Sequence, residues 1–162
     1  HLEFATQPAA TLASGTSSNF ATVPVVRALD ANGLLDTGFN GPVTLTLTDP
    51  LDGTLDGTVT ALSVTTGDTD GADTTVTVNA VNGVATFTGL ALNYSNSGSS
   101  NSSNSVALVA SSSGNSQTGT LRSVTSSTLT STLANTPVAL SSKFTDVGSA
   151  LPIKTGVIHL GR

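Results

Sequence analysis

The chain has 162 residues, of which 50 are Ser or Thr; nine of its ten acidic residues are Asp, and its net charge is −5. Its five basic residues are scattered along the chain, which excludes the clustered basic surface that nucleic-acid binding requires. The absence of Cys excludes disulfides and Cys-ligated zinc, and no apolar run is long enough to insert into a membrane.

Alternation of apolar and polar residues predicts three strands in the first third of the chain. The run LEFATQP alternates until Pro8, and FATVPVVRALDANG continues to a turn at Asn32-Gly33. The clearest strand is GPVTLTLTD, residues 41–49, in which Thr residues on one face alternate with apolar residues on the other. The apolar residues predicted to face the core are Val43, Leu45 and Leu47.

The middle of the chain predicts a β-hairpin. A further strand, TVTALSVTTG, is followed by the acidic loop DTDGADT. The alternating runs TVTVNA and VATFTGLAL then flank Val81, Asn82 and Gly83, and an Asn-Gly step between such runs is a strong hairpin signal. Since the chain has only six aromatic residues, we expect Phe87 to be an aromatic anchor of the core.

The low-complexity run NYSNSGSSNSSNS, residues 93–105, predicts a polar loop. VALVASSSG and SQTGTLRSVTS predict two further strands, and no segment has a helical period over three turns. Short strands separated by turn residues indicate an all-β, antiparallel β-sandwich. We assign this sandwich to residues 1–125, and a linker with an appended C-terminal strand to residues 126–162.

The segments LEFATQP, VPVVRALDANG, VTLTL and VNAVNGVATFTGLAL resemble, in this order, the strands of the immunoglobulin-like (Big-type) repeats of large bacterial surface proteins and adhesins. The resemblance spans residues 2–125. It implies an extracellular immunoglobulin-like sandwich that spaces, stiffens or presents other modules, without shared catalytic residues. The segment 48–75 is longer and richer in Asp than a minimal repeat. The matching positions are Phe4, Gln7, Pro8, Val26, Asp30, Gly33, Val43, Thr44, Leu45, Val81, Gly83, Ala85, Thr86, Phe87 and Leu90.

The end of the chain, ALPIKTGVIHLGR, has the character of a strand that the sandwich does not need. An extended apolar segment pairs either with its own sheet or with the exposed edge of another molecule. Head-to-tail donation of this kind, if it does not close, makes a filament. The N-terminal run HLEFATQP is an alternative donor. The residues assigned to the polymerisation strand are Ile153, Val157, Ile158 and Leu160.

The same segment contains LPIKTG, which has one residue more than the sortase signal Leu-Pro-x-Thr-Gly. No apolar span and basic tail follow it, so we do not predict cell-wall anchoring.

Three groups of acidic residues are candidate calcium sites, because Ca²⁺ takes about six to eight oxygen ligands from flexible loops. The strongest is Asp68, Asp70 and Asp73 in GDTDGADT, although it lacks the distal bidentate Glu of a calcium loop. The alternative is that these residues form turns by bonding their own backbone. The two looser groups are Asp49, Asp52 and Asp56, and Asp30, Asn32 and Asp36.

Other candidate sites are weaker. Asn93 and Asn101 match the N-glycosylation pattern, with an unmodified loop as the alternative. His1 and His159 are the only imidazoles, too few for the zinc site that a chain without Cys would need. No nucleophile elbow is present and Glu3 is the only Glu, so we do not predict an enzyme.

We therefore expect a structural subunit of an extracellular bacterial filament or matrix fibre, whose partners are copies of itself. A chain that starts at His1 and contains no Met is a processed product or a fragment, and we expect a mature exported chain without its signal peptide. The alternative is a spacer or ligand-presenting repeat of an adhesin, with a glycan or protein ligand and calcium as a stiffening ion.

Overall fold

The computed structural model describes residues 1–97 and 103–133, which form strands, turns and loops and no helix. The predicted all-β class is confirmed, and all but one of the strand pairings are antiparallel. The strands are β1 (Leu2–Thr6), β2 (Leu12–Ala13), β3 (Ser17–Asn19), β4 (Val25–Ala28), β5 (Pro42–Thr48), β6 (Thr58–Ser63), β7 (Thr75–Asn79), β8 (Val84–Thr86), β9 (Ala91–Ser95), β10 (Ser103–Ser112), β11 (Leu121–Thr125) and β12 (Leu129–Thr132).

The first layer consists of two three-stranded sheets, β1-β4-β8 and β3-β9-β6, that continue one another. Asn19 pairs with Ala91, the N–H of Phe20 bonds to the C=O of Leu90, and Val25 pairs with Thr86. The ladder therefore continues from β3–β9 to β4–β8 with a shift of one residue. Pro24 lies at this interruption, where it has no N–H to donate to a ladder.

The second layer has the order β2-β12-β10-β5-β7, and β11 pairs with β10 beyond the end of β12. The central strand is β10, whose ten residues pair with β5 on one side and with β11 and β12 on the other. The short strand β2 pairs in parallel with β12, so the chain crosses from the first layer to the second between β1 and β2. This arrangement is sandwich-like.

The core is aliphatic with a few aromatic anchors. The predicted face of β5 is confirmed, since Val43, Leu45 and Leu47 are buried. Phe87 is fully buried as predicted, and Phe39 and Tyr94 are fully buried with it.

The predicted hairpin around Asn82-Gly83 is wrong, although the turn itself forms. Asn82 and Gly83 have φ of 52° and 84°, and Val81 and Val84 exchange two backbone hydrogen bonds of 2.8 and 3.1 Å. On either side of the turn, however, β7 pairs with β5 and β8 pairs with β4. β7 and β8 do not pair with each other because they belong to opposite layers and bury their apolar side chains from opposite sides of the core. The turn therefore joins the two layers.

Two further expectations changed at the ends of β10. The predicted loop 93–105 is shorter, because β9 extends to Ser95 and β10 starts at Ser103. The strand β12 lies beyond residue 125, where the sequence predicted a linker, and its Leu129 belongs to the core. The polar residues of both segments had concealed their strand character.

The two ends of the sandwich differ. β10 runs from Ser103, which pairs with Thr132, to Ser112, whose hydroxyl donates to the carbonyl of Pro42. At about 3.3 Å per residue these ten residues span about 30 Å. We call the end with Thr132, where the chain leaves the described fold, the exit end. The opposite end contains His1 and the start of β11. We call it the groove end, because a groove opens there between His1 and Leu121.

Candidate functional site

The acidic loop 68–73 does not bring its three carboxylates together. Oδ1 of Asp68 accepts from the N–H groups of Asp70 and Thr77, each at 3.2 Å. Asp70 accepts from the N–H of Ala72 at 2.8 Å and from the hydroxyls of Thr75 and Thr77 at 2.9 and 2.8 Å. Within residues 1–97 and 103–133, no group of three or more potential ligands is placed to hold a metal ion.

The pKa of Asp70 shows how these bonds act on the carboxylate. Burial acts to raise this pKa, but the bonds from Ala72, Thr77 and Thr75 outweigh it and lower the pKa below its ordinary value. The carboxylate is therefore held ionised by donors of its own loop and of β7, and the geometry gives no support to the calcium prediction.

The acidic loop covers the two strand edges on its side of the molecule. The N–H of Thr69 bonds to the C=O of Thr77 in β7, and the N–H of Thr77 bonds to Asp68. The N–H of Leu62 in β6 bonds to the C=O of Asp73 at 2.7 Å. Such coverage blocks pairing with another chain.

The other acidic groups also form turns. Oδ1 of Asp30 accepts from the N–H groups of Asn32 and Leu34, and Oδ1 of Asp36 accepts from Gly38. Asp49 and Asp52 accept from the N–H groups two residues further on. These bonds match the alternative interpretation of the sequence, in which Asp and Asn stabilise turns.

The two glycosylation candidates differ in position. Asn93 lies within β9, between β3 and β6, where strand and not loop is found. Its Oδ1 is buried and has no hydrogen-bond partner within the described part of the chain. Asn101 lies outside the described residues.

A buried tyrosine network, which sequence reasoning missed, holds the exit end. The Tyr94 hydroxyl accepts from the N–H of Gly57 at 2.8 Å and lies 3.1 Å from Oδ1 of Asn104. The same Oδ1 accepts from the N–H of Ser97. Burial raises the pKa of Tyr94, and the carboxylates of Asp56 and Asp49 raise it further against the lowering effect of the Gly57 bond.

Replacing Tyr94 with Phe tests this network. The variant leaves the Gly57 N–H and the Asn104 oxygen without their partner, at an expected cost of about 1–3 kcal/mol in the free energy of unfolding at pH 7. Because folding raises the pKa above 10.0, the stabilisation by the protonated phenol is complete below the unfolded-state pKa. It is lost as pH rises through the higher folded-state pKa.

Denaturant unfolding at pH 7 and at about pH 11 measures both effects. Tyr94 is the only Tyr, so absorbance titration of the native chain reads its pKa directly, and the Phe variant is the blank. Titration at the ordinary pKa of an exposed phenol would contradict this account.

The N-terminal run HLEFATQP, the alternative donor, is already paired within its own molecule. β1 pairs with β4 from Leu2 to Thr6 within its own molecule, and the N–H of Leu29 bonds to the C=O of His1 at 2.8 Å. Arg27 and Glu3 form an ion pair of 2.6 Å across the same two strands. The N-terminal run therefore completes its own sheet.

β1 and β11 lie side by side, and no strand ladder of the described residues joins their facing edges. Within residues 1–97 and 103–133, β1 has β4 as its one ladder partner, and β11 has β10. Because the N–H of Ser126 bonds to Leu108, and Val124 pairs with Ala110, the backbone groups of Thr125 between them point away from β10. We call the boundary between β1 and β11 the seam. Gln7 bridges its end by accepting from the N–H of Ser127 at 2.8 Å, and the acidic loop lies elsewhere, on β6 and β7.

A groove of about 350 Å³ opens where this seam reaches the groove end of the molecule. Its wall combines apolar side chains with acidic and basic groups from three separate segments. The lining residues used below are His1, Leu29, Asp30, Asp36, Leu121 and Arg122. The residues predicted to donate a strand, Ile153, Val157, Ile158 and Leu160, lie outside the described residues, as does His159.

Comparison of the chain with protein-family models, with curated proteins and with solved structures finds no match. None of the described residues forms a helix with the length and apolar character needed to cross a bilayer.

Proposed function

We propose that the protein is a structural subunit of an extracellular bacterial surface filament or matrix fibre, assembled head to tail by β-strand exchange. The observation that carries this proposal is the asymmetry of the strand edges. The acidic loop covers one side of the molecule, whereas the facing edges of β1 and β11 have no ladder partner among the described residues. An open edge is the surface to which an extended segment adds by backbone hydrogen bonds.

The strand order supports an immunoglobulin-like sandwich, the finer fold that the sequence resemblance implies. One layer follows the order A-B-E-D as β1, β3/β4, β8/β9 and β6; the other follows C-F-G as β5, β10 and β11/β12. The layer change between β1 and β2, with β2 beside the last strand, fits this pattern. The order departs from it in one respect, because β7, which flanks β5, follows β6 in the chain.

The export of this subunit is proposed from composition and from the sequence resemblance. Charged residues make up 9% of the chain, and hydroxyl and amide side chains keep the surface hydrated. The resemblance to repeats of bacterial surface proteins points to the same location.

The test of the proposed function removes the apolar side chains of the predicted donor strand and keeps the length and charge of the chain. Replacing Ile153, Val157, Ile158 and Leu160 with Ser is expected to abolish filaments seen by electron microscopy and to leave the chain monomeric in sedimentation. The far-ultraviolet β signal should persist, because the core of the described residues is formed between Leu2 and Leu129. A matched control replaces four Leu and Val residues of the segment 133–147 with Ser. Filaments that form at unchanged protein concentration would refute strand donation by residues 151–162.

The second candidate function is a ligand-presenting repeat of an adhesin, with a glycan or protein as ligand. It is favoured by exposed apolar side chains at the groove end, where Leu34 is 65% and Val81 is 67% exposed. Clustered exposed apolar residues mark interaction surfaces. This candidate predicts a chain that stays monomeric at all concentrations, whereas the fibre subunit polymerises.

A further inference from the structure

The groove at the end of the β1–β11 seam has a position that suits a strand donated by another copy of the chain. The described fold ends next to Thr132 at the exit end, and the groove lies about 30 Å away at the opposite end. A segment that leaves one molecule at its exit end therefore meets the groove end of the next molecule in a row. Repetition of this contact is heterologous and open, which is the geometry of a filament.

Chain length allows this contact. Residues 134–150 separate the described fold from the segment 151–162. Seventeen residues reach up to about 60 Å when fully extended, at about 3.5 Å per residue. This exceeds the distance needed to enter a neighbouring molecule placed end to end.

The charges of the two parts are complementary. Residues 1–133 contain two basic and nine acidic residues, a formal charge of −7, whereas residues 134–162 contain three basic residues and one acidic residue, a charge of +2. Asp30 and Asp36 lie in the groove wall, where both are half-buried. Lys154 and Arg162 belong to the segment 151–162, and they suit these two carboxylates, which share the groove wall with Arg122 and the N-terminal residue His1.

The groove also offers apolar surface beside the edges of β1 and β11 that have no ladder partner among the described residues. Leu29 is buried at its base and Leu121 is half-buried at the start of β11. The backbone groups of Thr125 lie further along the same seam. Apolar side chains of a donated strand would fill such pockets while its backbone pairs with the edge.

We propose that this groove is the acceptor site for residues 151–162 of a neighbouring copy, an inference that rests on the proposed fibre function. The segment adds along β11 with Ile153 and Val157, which share one face of an extended strand, toward Leu29 and Leu121. Its basic residues lie toward Asp30 and Asp36.

Disulfide cross-linking tests the acceptor site, since the chain has no Cys of its own and the background is zero. One full-length population carries Thr120→Cys in the groove wall, and a second carries Val157→Cys in the segment. Mild oxidation of the mixture is expected to give a cross-linked dimer containing one copy of each. A disulfide requires Cα atoms within about 7 Å, so only a seated segment reacts efficiently.

The matched control is Thr54→Cys, at an exposed Thr in the loop 49–57 of the exit end, mixed with the same Val157→Cys population. Equal cross-linking of Thr54 and Thr120 would overturn the acceptor assignment. A disulfide formed inside one chain of the Thr120→Cys/Val157→Cys double variant at high dilution would overturn donation between copies. Each Cys variant is first oxidised alone, so that self-pairing is subtracted.

A double-mutant cycle on the full chain tests whether Asp30 and Asp36 attract the basic residues of the donated segment. The Asp30→Asn/Asp36→Asn variant removes both charges but keeps the side-chain oxygens that accept from Asn32, Leu34 and Gly38. We expect it to raise the concentration needed for assembly roughly twofold to fivefold, as for partly exposed ion pairs. Lys154→Gln is expected to act likewise, and the combination should be less than additive.

These results separate the two proposals. If the unmodified chain forms no polymer, the fibre function fails. If it polymerises through residues 151–162 but Thr120→Cys does not cross-link and the cycle is additive, only the acceptor assignment fails.

Discussion

Replacing Gly57 with Ala is expected to lower the free energy of unfolding by about 3 kcal/mol or more, because no space exists for a Cβ atom. A Cβ built there would lie 2.1 Å from the C=O oxygen of Ser95 and 2.7 Å from the Tyr94 hydroxyl. The backbone of Ser95 belongs to β9 and cannot yield as the end of a side chain can. Relief of the clash would separate Gly57 from Tyr94 and break their buried hydrogen bond.

Gly38→Ala is the matched control for this prediction. Neither Gly57 nor Gly38 has a positive φ, so the intrinsic preference of Ala for extended and helical backbone acts similarly at both. The nearest atom to a Cβ at residue 38 is a carboxylate oxygen of Asp36 at 3.4 Å, an ordinary contact. Urea unfolding of the two variants should differ by at least about 2 kcal/mol. Equal stabilities would mean that Tyr94 does not pack beneath the 49–57 loop.

Replacing Phe87 with Ala is expected to cost about 3–5 kcal/mol, the range for removal of a buried aromatic ring. Phe87 is 0% exposed and lies just after β8, where the ring meets the core between the two layers. A domain of this size has a total stability of about 5–15 kcal/mol, so the variant would lose a large part of it. The measurement is the midpoint of thermal or urea unfolding of the full chain.

Two comparison variants show whether this loss comes from the core. Phe87→Leu keeps most of the apolar volume and should retain much of the stability that Phe87→Ala loses. Leu51→Ala removes an apolar side chain that is 85% exposed and should change stability by less than about 0.5 kcal/mol. If Phe87→Ala lowered the free energy of unfolding by less than about 1 kcal/mol, Phe87 would not be an anchor of the core.

The parts of the fold that the sequence predicted are those governed by local periodicity. The alternation of β5 gives its buried face because successive side chains point to opposite faces of a sheet. Phe87 was predictable because a large apolar residue in an alternating run has few alternatives to burial. The all-β class followed from many such short runs.

Pairing partners were not predictable, because they depend on which layer buries a strand. The Asn82-Gly83 turn has the backbone geometry of a hairpin, yet Val76 in β7 pairs with Leu45 and Ala85 in β8 pairs with Val26. The same turn chemistry serves a hairpin and a crossing between layers. Only the packing of the whole core distinguishes them.

The candidate site was harder still to predict. His1, Asp36 and Leu121 come together only through the layered fold, and no local pattern connects them. For the Tyr94 network a signal did exist, because the only Tyr lies at the edge of a Ser- and Asn-rich run. A lone aromatic in such a run indicates that part of it is buried.

The parallel pairing of β2 with β12 has a mechanical consequence. Ser131 pairs with Leu12 and Thr132 with Ala13, so the first and last parts of the described chain run in the same direction side by side. Tension that pulls the chain outward beyond β12 and holds the opposite end of the molecule slides these neighbours lengthwise. The hydrogen bonds between β2 and β12 are then loaded in shear, so they bear the force together and do not break one after another.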